Sequence, residues 1–154
     1  MPRGARRCEG PSFPLKMASP ASHSFEEHRG ELEIRLDASS LPALFAEAGR
    51  ALAEVMHGTA LEPPTGWSDE VVVTAGDREA LLVQWLNELI FRSEVAKVLF
   101  TEFEITHLSD HKLAAAIRGT RLERLRNPVK AATYHGLSIT EHAGAFGAKV
   151  ILDV

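Results

Sequence analysis

Residues 77–94 read DREALLVQWLNELIFRSE, and their pattern sets the fold class. Leu81, Leu82, Trp85, Leu86, Leu89 and Ile90 recur at helical spacing and form one broad apolar stripe. Asp77 follows Gly76 and is placed to cap the first turn, with Glu79 near the positive end of the helix dipole. Gln84, Asn87, Glu88 and Arg92 fall between the apolar positions and read as the solvated side. A stripe of this kind is a buried face. Trp85 is its largest side chain, and burying it contributes on the order of 3 kcal/mol.

Before this helix, Glu70–Thr74 holds three consecutive valines and reads as a short strand. The segment Thr59–Ser68 contains Pro63, Pro64 and Gly66 and reads as loop. Upstream of it, Leu41, Leu44, Phe45, Ala48, Leu52, Val55 and Met56 predict a first helix ending near His57 and Gly58. Ser39 and Ser40 offer its cap, and Pro42 sits in the first turn, where a missing N–H costs little. Earlier still, Phe25, Leu32, Ile34 and Leu36 alternate with Glu31, Glu33 and Arg35 as one half-buried strand.

After Glu94 the period returns to two. Val98–Leu108 and His111–Arg118 read as strands, and Ser109 and Asp110 as the turn between them. Val129–Thr140 reads as one strand, with Val129, Ala131, Thr133, His135, Leu137 and Ile139 on one face. Phe146, Ala148, Val150 and Leu152 alternate to the C-terminus. The expected fold is therefore α+β, a single domain of two amphipathic helices packed on a largely antiparallel sheet.

The chain has 154 residues and a net charge of −4, a size that suits one domain with a sizeable core. Residues 1–22 carry Arg3, Arg6, Arg7 and Lys16 against Glu9, a local +3, which leaves −7 on the remainder. Such an acidic body argues against stable direct binding of a nucleic-acid backbone. Residues 1–23 are rich in Pro, Gly, Ser and Ala without periodicity, and are expected to be a disordered extension to a domain at 24–154, with Met17 as an alternative start. The one cysteine, Cys8, excludes an internal disulfide and a Cys-rich zinc site, and fits a cytoplasmic protein. No apolar run approaches the roughly 20 residues of a membrane span.

The chain contains no nucleophile elbow, P-loop, dinucleotide fingerprint or metalloprotease motif, and no motif positions a general base. His107 and His111 are four apart but flank a turn, so they lack the helical context that would face both rings together. Two places stand out. Glu27-His28-Arg29-Gly30-Glu31 crowds ionisable groups at the start of a strand, and Asp153 closes an otherwise apolar one. If the first and last strands neighbour, Glu31 joins Asp153 and the terminal carboxylate in a set of hard oxygen ligands suited to Ca²⁺ or Mg²⁺. Solvated, unrelated acids are the simpler alternative.

Val129-Lys130-Ala131-Ala132-Thr133-Tyr134-His135 resembles the VKA-x-TYH signature of the archease family. Val150-Ile151-Leu152-Asp153-Val154 resembles that family's last strand, LLVQWLNELIF its second helix, and His28-Arg29-Gly30-Glu31 stands where the family has His-Thr-Ala-Asp. The similarity covers essentially residues 24–154. It implies a non-catalytic cofactor for an RtcB-type RNA ligase, promoting that enzyme's guanylylation and multiple turnover in tRNA splicing or RNA repair. It also implies a divalent cation, calcium, at Glu31, Asp153 and Val154, held weakly because Glu31 is one methylene longer than the family's Asp. Arg29 brings a competing cation close. Lys130, His135 and His28 are candidate partner contacts. By strand parity Lys130 faces outward, while His135 shares the half-buried face of Val129. A chaperone-like module for other RNA-modifying enzymes, such as tRNA methyltransferases, is the alternative. A metal-assisted hydrolase at Glu31 and Asp153 is the third and weakest reading.

Overall fold

The computed structural model describes residues 20–58, 63–123, 127 and 129–154. Ten elements follow one another: β1 (Ala21–His28), β2 (Glu31–Ala38), α1 (Leu41–His57), β3 (Gly66–Thr74), α2 (Arg78–Ala96), β4 (Val98–Leu108), β5 (Lys112–Arg121), β6 (Ala131–Thr133), β7 (Ile139–His142) and β8 (Ala145–Asp153). The strands form two antiparallel sheets. One has the order β1-β2-β8-β6, with β7 also on β8, and the other the order β3-β5-β4. Both helices touch both sheets: α1 packs on β1, β2, β8 and β4, and α2 on β3, β4, β5 and β6. The helices are thus the layer that joins the sheets, an α+β arrangement as the periodicities indicate.

Helix α2 forms where its stripe and cap place it. The Asp77 carboxylate accepts from the Ala80 N–H at 2.7 Å, which satisfies one of the free donors of the first turn. Trp85 is fully buried, donates its indole N–H to the Phe45 carbonyl at 2.8 Å and meets the Phe103 ring edge-on at 5.8 Å. These contacts tie α2 to α1 and to β4. Gly49 allows the approach, because a Cβ there would come within 2.9 Å of the Phe103 ring. Ser40 caps α1 through the Ala43 N–H, and Gly58 ends it in the left-handed region. Asn87, expected on the solvated side, is half-buried. Its amide accepts from the Ala132 N–H at 2.8 Å and donates to the Ala132 carbonyl at 3.3 Å, holding β6 on α2.

Several boundaries differ from the sequence expectations. The first strand is a hairpin: Arg29 and Gly30 form a two-residue turn between His28 and Glu31, and Gly30 sits at φ +69, where a side chain would be strained. Strand β1 takes up Ala21, Ser22 and His23, which composition had assigned to the extension, whereas residues 1–19 lie outside the described residues. Strand β3 begins at Gly66, inside the expected loop. The single strand expected over 129–140 is divided into β6 and β7 by a turn closed by the Leu137 N–H on the Tyr134 carbonyl, with Gly136 left-handed at φ +66. Its burial is also out of phase with the expectation, since Val129 and Ala132 are buried rather than Val129 and Ala131.

Candidate functional site

The C-terminal strand β8 lies between β2 and β6, so Asp153 has neighbours on both sides: Glu31 and Ala131 are its register partners. The chain end is fastened there. The Val154 N–H donates to the Gly30 carbonyl at 3.2 Å, and the Lys130 N–H donates to the Asp153 carbonyl at 2.8 Å. This topology brings the Glu31 side chain, the Asp153 side chain and the terminal carboxylate of Val154 to one corner of the five-stranded sheet, all exposed. Like charges directly opposite on paired strands repel. Among the described residues neither Glu31 nor Asp153 forms an ion pair, and none joins Arg29 to them. Carboxylate oxygens are hard donors that match Ca²⁺ or Mg²⁺, so the residues present fit such an ion. Glu31 extends one methylene further than an Asp would.

Two residues along β2 the same motif recurs with a different outcome. Glu33 faces Glu26 across the hairpin. Arg35 bridges them, with Nε 2.7 Å from Glu33 Oε2 and Nη2 2.9 Å from Glu26 Oε2. Glu33, expected on the polar side, is packed to 6% exposure beneath this guanidinium. The hydrogen bond from Arg35 holds the Glu33 carboxyl below the usual carboxylate range, and burial opposes it. His28 Nε2 stands 3.8 Å from Glu33 Oε1. The ligand atoms of Glu26, His28 and Glu33 lie within 4.8 Å of one another, but Arg35 already supplies the positive charge.

On the other face of the hairpin, His23 points at α1. Its Nδ1 is 2.5 Å from Glu47 Oε2 and its Nε2 is 2.8 Å from Glu54 Oε2. Glu47 is buried and also accepts twice from Arg50. Sequence reasoning missed this brace; the available signal was the seven-residue interval that puts Glu47 and Glu54 on one face of α1. Beside it opens a groove of about 920 Å³, lined by Phe25, Glu27, His28, Glu31, Leu32, Glu54, Val55 and Val154 among others.

Of the residues anticipated as partner contacts, Lys130, His28 and His135 are all exposed. His135 is not the half-buried strand residue that parity predicted. It lies in the turn after β6, because the chain leaves the sheet at Tyr134. His107 lies on β4 and His111 in the turn before β5, where its ring Nδ1 is 3.3 Å from the Ala75 carbonyl oxygen. Asp153, Val154 and Glu31 are brought together, as the neighbouring of first and last strands requires.

A mixed fold with two helices joining two antiparallel sheets and an acidic corner at the chain end defines a recognisable class. Residues 23–154 match the model of the Archease protein family (MTH1598/TM1083), and the chain belongs to that family. Protein archease of Methanopyrus kandleri is 32% identical over 138 residues, 83% of this chain and 96% of that protein. Protein archease of Methanosarcina mazei is 28% identical over 141 residues, covering 86% and 95% respectively. The solution structure of Methanobacterium thermoautotrophicum protein 1598 superposes with a TM-score of 0.70 at 29% identity, over 86% of this chain and 98% of that one. A crystal structure of a Thermotoga maritima archease, described as a possible chaperone, gives a TM-score of 0.60 at 18% identity over 84% and 94%, and shows the fold alone. Among the described residues no helix is long and apolar enough to cross a membrane.

Proposed function

We propose that this chain is a non-catalytic protein cofactor of an RtcB-type RNA ligase, promoting its guanylylation and multiple turnover in cytoplasmic tRNA splicing or RNA repair. The observation that carries this reading is the corner formed by Glu31, Asp153 and Val154. It occupies the positions that match the family's acidic motif and C-terminal ending, and its facing carboxylates lack an ion pair among the described residues. Glu31, Asp153 and the Val154 carboxylate would hold the cation, calcium. Bound there, such an ion would offset the repulsion of these carboxylates and supply a positive charge at the corner. Lys130 and His28 flank this corner, exposed and available for contact, while the exposed His135 lies in the turn beyond β6. The −7 charge outside residues 1–22 favours a protein partner over RNA itself.

The test is guanylylation of a purified ligase with labelled GTP, with and without this protein. Wild type should accelerate label incorporation, and Asp153→Asn should not, while ligase that is already guanylylated should join RNA equally well with either. No acceleration by the wild type would dismiss the ligase reading. The second reading, a chaperone-like module for other RNA-modifying enzymes such as tRNA methyltransferases, draws on the Thermotoga relative's description as a possible chaperone. Pull-down from the source cell separates the two by which enzyme is recovered.

A further inference from the structure

The groove beside the acidic corner has a chemistry of its own. Its walls come from the β1–β2 hairpin, the C-terminal end of α1, Asn127 and the chain end. Glu27, Glu31 and Glu54 line it together with His28, and no Lys or Arg among the described residues does. The C-terminal end of α1 at Val55 and Gly58 closes one side, with its Val55 and Met56 carbonyls accepting from Asn127. Between the acids lie apolar side chains: Phe25, 39% exposed, Leu32, Val55 and Val154, 41% exposed. The brace from His23 to Glu54 and the edge-on contact of His23 with Phe25 at 5.2 Å give two of these walls a fixed position. Its volume of about 920 Å³ falls within the roughly 300–1,000 Å³ of sites that take compact ligands or a few side chains.

We propose that this groove docks a short basic–apolar segment of a partner protein. A bare metal ion would leave the apolar walls uncovered, and a phosphate backbone would be repelled by the acids. A segment alternating cationic and apolar side chains satisfies both: its apolar groups cover Phe25, Leu32 and Val55, and its cations meet Glu27 and Glu54. Charge pairing supplies orientation and on-rate, and apolar burial supplies residence. This names the partner chemistry of the reading above and rests on it only for the existence of a protein partner.

The experiment uses the full chain and fluorescein-labelled hexapeptides, followed by anisotropy at near-physiological salt. A peptide alternating arginine and leucine should bind. One alternating arginine and glycine should bind at least about tenfold more weakly, since the apolar contribution is lost. One alternating glutamate and leucine should not bind. Glu27→Gln and Phe25→Ala, both at exposed positions, should each weaken the first peptide about threefold to tenfold, whereas Glu70→Gln and Glu104→Gln on the other sheet should leave it unchanged. Circular dichroism verifies that each variant is folded. Equal binding of the arginine–glycine peptide, or equal effects of the distant substitutions, would reduce the groove to a general acidic attraction and overturn the proposal. So would a tenfold or greater gain on deleting residues 1–19, which would make the chain's own basic segment the occupant. Peptide binding without stimulated guanylylation would remove the ligase reading and leave the groove intact; stimulation without peptide binding would do the reverse.

Discussion

Glu33 and Glu31 stand two residues apart on β2, and each faces an acid on a neighbouring strand: Glu26 for the first, Asp153 for the second. The first pair is bridged by Arg35 and half-sealed, with Glu33 buried. The second pair is exposed, gains a third negative charge from the chain end, and has no ion pair among the described residues. The physics of facing carboxylates is the same in both places. The fold neutralises one pair from within and leaves the next without a protein cation among the described residues. Three groups of the interior follow the first pattern, the Trp85 indole, the Asn87 amide and the His23 ring all ending on protein partners, whereas His57 Nδ1 and Thr101 Oγ1 are buried without a hydrogen-bond partner.

The largest effect should come from neither pair. Trp85→Ala empties a fully buried site between α1, α2 and β4, and cavity formation should cost roughly 3–5 kcal/mol in a denaturant titration. Calcium should still raise the melting temperature of that variant, because the acidic corner is built from β2, β8 and the chain end. A loss below about 1 kcal/mol would mean that Trp85 is not the keystone its burial implies.

The second effect sharpens the comparison directly. A cation that binds the native state alone adds stability by mass action, about 1.4 kcal/mol at ten times its dissociation constant. Millimolar Ca²⁺ should therefore raise the melting temperature of the wild type by a few degrees relative to chelator. Asp153→Asn should abolish the rise while sparing the fold. Glu31→Asp, the residue the resemblance implies at this position, should enlarge it or bring it to lower calcium. Identical wild-type melts in calcium and chelator would place the open pair among ordinary solvated acids.

How much of this was legible in the sequence follows from how local each signal is. Helix α2 was readable to within two residues because stripe and cap are both local: Asp77 begins it and the apolar positions repeat through Ile90. The hairpin was not, because Glu27, His28 and Arg29 interrupt the alternation and Arg29-Gly30 is a weak turn signal. The stretch 129–140 misled for the opposite reason. Its alternation is regular on paper, while the backbone turns at Gly136. The juxtaposition of Glu31 and Asp153 needed one long-range condition, the neighbouring of first and last strands, and the register meets it. The role of Arg35 was invisible. On a single strand it is one more outward polar residue, and only the pairing of β1 with β2 sets Glu26 beside Glu33.

The smallest effect concerns that bridged pair and appears only as pH changes. Glu33 has its carboxyl held below the ordinary value of 4.5, first of all by the hydrogen bond from Arg35. A carboxyl whose folded pKa is depressed contributes stability that is complete above the unfolded pKa and is lost as pH falls through the folded one. Arg35→Gln removes that cause. Its melting temperature should lie below the wild type's at pH 7 and at about pH 5, and the two should converge as the pH falls below the ordinary carboxylate range and acid protonates Glu33. The variant should keep the full calcium response at neutral pH, since Glu31 and Asp153 are untouched. Glu33→Gln should lose the same pH-dependent increment, and the double variant should lose little more than either alone, because one interaction is being removed twice. Parallel melting curves from pH 7 to pH 3 would show that Arg35 does not stabilise the pair through Glu33. The contrast between a bridged and an open pair would then lose its first half.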